Sequence, residues 1–117
     1  MSFLYVGAGG AVGAMSRYAI GLIPYKGVFP ILTLMINFLG AVLIGFVVGA
    51  SAKLGWSSNW TLFWKTGVCG GFTTFSTFSL ETYTLVQNGH SQLAVLYALT
   101  SVVLCVVGIV IGMMLAK

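Results

Sequence analysis

The chain has 117 residues, of which 59% are hydrophobic and 5% charged, with a mean hydropathy of +1.07. A soluble domain carries about 25% charged residues, so an ordinary water-dissolved globule is excluded. The formal net charge of +4 comes from Arg17, Lys26, Lys53, Lys65 and Lys117 against the single acid Glu81; with no basic run or stripe among them, nucleic acid is not an expected partner.

A bilayer-spanning helix takes about 20 apolar residues, so four spans with short turns use nearly the whole chain and leave no room for a soluble catalytic domain. We read residues 1–117 as a single all-α membrane domain. The first span is expected at residues 3–23, closed by Pro24-Tyr25-Lys26-Gly27. Met1-Ser2-Phe3 supplies no basic leader region, so this segment reads as retained helix. The second is expected at residues 29–52, with Pro30 in its first turn, where a missing N–H costs nothing. The third and fourth are expected at residues 60–86 and 92–116, joined by Gln87-Asn88-Gly89-His90. Trp56, Trp60, Trp64, Tyr25 and Tyr83 fall toward span ends, where amphipathic rings favour the headgroup zone. Cys69 and Cys105 lie in apolar stretches and read as small packed hydrophobes rather than a disulfide framework.

Four spans put the amino terminus, Lys53 and Lys117 on one side of the membrane, with Lys65 leaning to it, and Lys26 with Arg17 on the other. The positive-inside rule needs a clear excess, and this near-balance gives none, so insertion in both orientations is expected. Four spans are also too thin to enclose a polar path alone, which points to an oligomer whose copies pair antiparallel about a two-fold axis in the membrane plane. Gly9 and Gly13, Gly45 and Gly49, and Gly108 and Gly112 are each spaced for close helix contact. The opening Gly7-Ala8-Gly9-Gly10-Ala11-Val12-Gly13 approaches a dinucleotide fingerprint, but it follows no strand and lacks the acidic partner.

The third segment carries the chemistry. Gly70-Gly71 followed by Phe72-Thr73-Thr74-Phe75-Ser76-Thr77-Phe78-Ser79 propagates a helix poorly, so a break is expected from Gly70 to Thr73, near the bilayer midplane. The alternative is an unbroken helix whose hydroxyls bond to the preceding turn; the glycine pair favours the break. Irregular backbone at that depth survives only inside protein or along a polar cavity, where it is a recurrent device for ion sites. Phe75, Phe78 and Thr82 share one face of the following helix, and Thr74, Thr77 and Glu81 another. A phenylalanine stripe is usually packing, yet its positive ring edges can also face a desolvated anion, to which the hydroxyls can donate.

Glu81 lies roughly 12 Å beyond the break at 1.5 Å per residue, a depth suited to a vestibule. Asn37 sits mid-span and must either make an interhelical hydrogen bond or face a polar cavity, where its amide is an anion donor. Arg17, near the end of the first span, can snorkel, serve structure or draw anions to a vestibule. Thr100 and Ser101 on the fourth span can add donors, but their hydroxyls are expected to be satisfied within their own helix. One histidine, one acid and no nucleophile–base pair give no catalytic constellation, so no enzyme is expected.

The third-segment motif, together with Gly10-Ala11-Val12-Gly13-Ala14-Met15-Ser16-Arg17-Tyr18 and Thr33-Leu34-Met35-Ile36-Asn37, resembles the Fluc (also called CrcB) family of microbial fluoride channels over the whole chain. The resemblance implies an antiparallel, dual-topology homodimer in the bacterial cytoplasmic membrane, with two pathways exporting fluoride passively. It implies Phe75 and Phe78 as the rings contacting fluoride, Asn37 as a pore-lining donor, Ser76 and Thr77 in a hydroxyl track, and Arg17 and Glu81 as vestibule residues. It also implies a structural Na⁺ at the dimer centre, held by the backbone carbonyls of Gly70 and Thr73. Leu32 departs from the glycine usual in the family before the threonine of the second span. The competing reading, a small multidrug resistance-like proton-coupled exporter, needs a membrane-embedded acid in the first span, and none is there.

Overall fold

The structure, a computed structural model describing residues 1–117, consists of five helices joined by short turns, with no strand. Helix α1 spans Ser2–Gly21 and α2 spans Ile31–Leu54. The third segment is composite: α3 begins as Ser58–Leu62, widens into a π-helical stretch Phe63–Cys69 and closes with the turn Gly70–Phe72. Helix α4 covers Phe75–Gln87 and α5 covers Ser91–Leu115.

Both α2 and α5 are long and apolar enough to cross a membrane. At 1.5 Å per residue each reaches roughly 36 Å, more than the ~30 Å hydrocarbon layer. Their outward faces carry Met35, Leu39, Val102, Val103, Val106 and Val110 exposed. An apolar surface on that scale is covered by lipid or protein rather than water.

The helix ends have local causes. Gly55 closes α2 in the left-handed region at φ +66, its amide bonded to the Ser51 carbonyl at 3.0 Å, a conformation that costs a Cβ-bearing residue about 1 kcal/mol or more. The Ser57 hydroxyl caps α3 through the Trp60 amide at 3.2 Å, and the Thr74 hydroxyl caps α4 through the Thr77 amide at 3.1 Å. Pro30 stands just ahead of α2 rather than in its first turn.

Two close helix pairs build the molecule. Against α3, a Cβ on Gly9 would collide with the Phe63 carbonyl and lie 2.9 Å from the Gly67 Cα, and one on Gly13 would strike the Val68 carbonyl. Between α2 and α5, Gly45 meets the Ile109 carbonyl and Gly112 meets the Val42 carbonyl with the same lack of room. Helices in lipid gain little from burying apolar surface against each other, so backbone approach of this kind is what packs them. Where α2, α4 and α5 meet, Leu34, Leu85, Ala94 and Tyr97 form a buried cluster.

The glycine pair is not where the backbone leaves the helix. Gly70 and Gly71 are helical, and Gly71 lies where any Cβ would press on the Gly10 carbonyl. The extended residues are Thr73, at φ −80 and ψ 155, and Thr74, at φ −146 and ψ 116. β-Branching favours that region, and Thr74 gains a capping bond by entering it. Gly71 serves contact instead.

Candidate functional site

The two extended threonines expose main chain that needs partners, and α2 supplies them. Asn37 Nδ2 donates to the Thr74 carbonyl at 3.1 Å, and Asn37 Oδ1 accepts from the Thr74 amide at 2.9 Å. One side-chain amide thus replaces both halves of a missing helical hydrogen-bond pair. Of the two roles open to Asn37, the interhelical bond is present, and the residue also borders a groove.

The same geometry frees two carbonyls. In a continuous helix the Thr74 amide would point at Gly70 and the Thr77 amide at Thr73. Here the first bonds Asn37 and the second bonds the Thr74 hydroxyl. Gly70 is exposed with nothing near its missing side chain. Freed carbonyls beside open space are donors suited to a hard cation such as Na⁺, so these residues fit the ion that the resemblance implies. Neighbouring carbonyls are engaged: Arg17 Nε donates to Gly71 at 3.2 Å, and the Thr73 hydroxyl donates to Cys69 at 2.8 Å.

A groove of about 380 Å³ runs past this point, lined by Asn37, Gly70, Thr73, Thr74, Phe75, Phe78 and Ser101 among others, with Lys65 on its wall. The Phe75 and Phe78 ring centroids stand 5.6 Å apart at 45°. Phe75 is 78% exposed. Phe78 in turn packs on Tyr97, with centroids 5.0 Å apart. Ser101 does not behave as its sequence suggests: it is buried, and its hydroxyl has no hydrogen-bond partner, in its own helix or elsewhere.

Glu81 lies in a separate cavity of about 560 Å³, which also borders Thr33, Asn88 and His90. Its carboxylate accepts from the Thr33 hydroxyl at 3.0 Å and from the Tyr97 hydroxyl at 2.9 Å. Neither donor is marked as Glu81's partner by any pattern along the chain. Tyr97 is 0% exposed, and a fully buried tyrosine whose hydroxyl reaches a carboxylate was signalled only by its lying deep in an apolar run.

The structure therefore gathers Asn37, Phe75, Phe78, Gly70 and Thr73 around one groove and sets Glu81 in another cavity. Arg17, Ser76 and Thr77 border neither: Arg17 is turned onto the Gly71 carbonyl, and Ser76 stands 3.5 Å from the Thr74 hydroxyl. Cys69 and Cys105 are free thiols.

The family model for CrcB-like protein, described as camphor resistance (CrcB), matches residues 4–113. The chain belongs to the CrcB family. A relative named fluoride-specific ion channel FluC from Ruminiclostridium cellulolyticum is 47% identical, with 96% of this chain and 89% of the relative aligned. One named fluoride-specific ion channel FluC 2, from Nitrobacter hamburgensis, is 44% identical over 100% of this chain and 98% of its own length. A third, named as the first is, from Erythrobacter litoralis, is 43% identical over 97% of this chain and 90% of its own. CrcB membership gives the groove its context: a membrane protein whose relatives carry a channel's name.

Proposed function

We propose that this chain is a fluoride-selective channel that lets fluoride leave the cell passively across the bacterial cytoplasmic membrane. The observation that carries the reading is the Asn37–Thr74 exchange of hydrogen bonds, which stabilises non-helical backbone beside a groove whose side chains at the threonines are neutral. Neutral donors and ring edges can replace the water of a small anion without the charge that would trap it. The names of the relatives supply the ion.

In this reading the third segment crosses the membrane as two half-helices, α3 and α4, meeting near the midplane. Phe75 and Phe78 contact the ion, Asn37 holds the pore wall, Ser76 and Thr77 extend a hydroxyl track, and Arg17 and Glu81 serve the vestibules. Two copies assemble as an antiparallel, dual-topology homodimer with a pathway on each side. The nearly balanced basic residues and the extensive apolar exterior support that assembly.

A structural Na⁺ at the dimer centre would be held by the Gly70 and Thr73 carbonyls. The support is that no helical amide reaches either of them. The ion supplies a fixed positive charge that favours anions nearby; the chain's own part is to keep both carbonyls free by sending the Thr74 and Thr77 amides elsewhere.

The test is efflux from liposomes holding the purified chain and loaded with fluoride or chloride. Fluoride leaves while chloride is retained. Equal release of both, or of neither, contradicts the reading.

A further inference from the structure

We infer that Lys65 is the anion collector of the groove, its ammonium concentrating small anions beside the path and raising the rate at which they enter; the inference rests on the channel reading above. Lys65 is the one basic or acidic side chain on the groove wall, and it is exposed. The single acid of the chain, Glu81, stands in the other cavity and is held there by Thr33 and Tyr97, so no carboxylate side chain neutralises the charge. Arg17, the cation that the sequence puts forward for drawing in anions, is turned elsewhere: it borders neither cavity and donates to the Gly71 carbonyl.

The position of Lys65 suits collection rather than binding. Lys65, Cys69 and Thr73 follow one another along the wall at steps of four residues. Counting 1.5 Å per residue, the backbone of Lys65 is no more than about 12 Å from the extended threonines. From there a long flexible stem can carry the ammonium to water while its field reaches back along the groove. The remaining walls are largely apolar, with Ile44, Val102 and Ile109 among them. Low-dielectric walls around charge of one sign focus its field and raise the local concentration of counter-ions. A cation in direct contact with the ion would hold it too tightly for conduction, whereas one two turns away speeds entry without deepening the site.

The test compares the unaltered full chain with Lys65→Gln, Lys65→Glu and Lys65→Arg. Fluoride efflux is measured from vesicles of zwitterionic lipid at low and high potassium chloride, together with melting in detergent. Screening separates the field from any structural role, because the Debye length is about 30 Å at 0.01 M salt and about 3 Å at 1 M. At low salt, Lys65→Gln is expected to lower efflux at least about threefold, Lys65→Glu to lower it further and Lys65→Arg to match the parent. At high salt the glutamine variant converges on the parent, and its melting temperature stays level throughout. Equal efflux of Lys65→Gln and a conducting parent at low salt overturns this inference and leaves the channel reading standing. A loss that persists undiminished at high salt, or that comes with a lower melting temperature, overturns it too by assigning Lys65 to structure. An unaltered chain that passes no fluoride removes both.

Discussion

Asn37 and Thr74 exchange two hydrogen bonds, at 3.1 and 2.9 Å, across the gap between α2 and the extended threonines. A mid-span asparagine thereby completes another segment's backbone. Asn37→Ala strands a half-buried carbonyl and a half-buried amide, each at up to about 1–3 kcal/mol. Asn37→Asp keeps the acceptor for the Thr74 amide but faces the Thr74 carbonyl with no donor. Both variants are expected to melt lower in detergent and to lose flux, and an Asn37→Ala variant as stable as the parent would disprove the bracing role.

The Thr74 cap makes a smaller, separable claim. Thr74→Val keeps β-branching and size but loses the oxygen that accepts the Thr77 amide, at a cost of about 1 kcal/mol. Thr74→Ser retains the cap. A difference between these two variants in thermal stability measures the bond directly.

Glu81 holds two donors from distant parts of the chain, Thr33 on α2 and Tyr97 on α5. Tyr97→Phe removes one while leaving the ring that packs on Phe29 and Phe78, and is expected to cost about 1.5–3 kcal/mol, the range for a hydrogen bond to a charged group. Thr33→Val removes the other. Because both donors serve one carboxylate, a double-mutant cycle should depart from additivity by at least about 0.5 kcal/mol; strict additivity would mean that the donors act independently.

Glycine contacts give a paired prediction. Gly9→Ala forces a methyl group into the Phe63 carbonyl and is expected to cost about 1–3 kcal/mol. Gly7→Ala, two residues earlier with nothing within 4 Å, is expected to be neutral or mildly stabilising. Equal effects would mean that α1 does not lie against α3 as described.

Much of this arrangement is legible in the chain before folding. Four apolar stretches, three spaced glycine pairs and a lone mid-span asparagine in need of a partner all follow from composition and periodicity. Other features follow from tertiary contact. The π-helical stretch Phe63–Cys69 coincides with Gly67 resting on Gly9, an approach that no local propensity encodes. Glycine propensity points to Gly70 and Gly71 as the place where the helix yields, but Gly71 is held helical against Gly10, and the yielding passes to Thr73 and Thr74. Tyr97 meets Glu81 from 16 residues away and Thr33 meets it from 48. A pattern read along one segment does not reach that far.

The central claim is that ions pass the groove beside the extended threonines, and Phe75 tests it most directly. With 78% of its surface exposed, Phe75 contributes little to the fold of one subunit. Fluoride efflux should therefore fall at least tenfold in Phe75→Ile liposomes while the melting temperature stays near that of the parent. Efflux equal to the parent's at equal protein density would contradict the account.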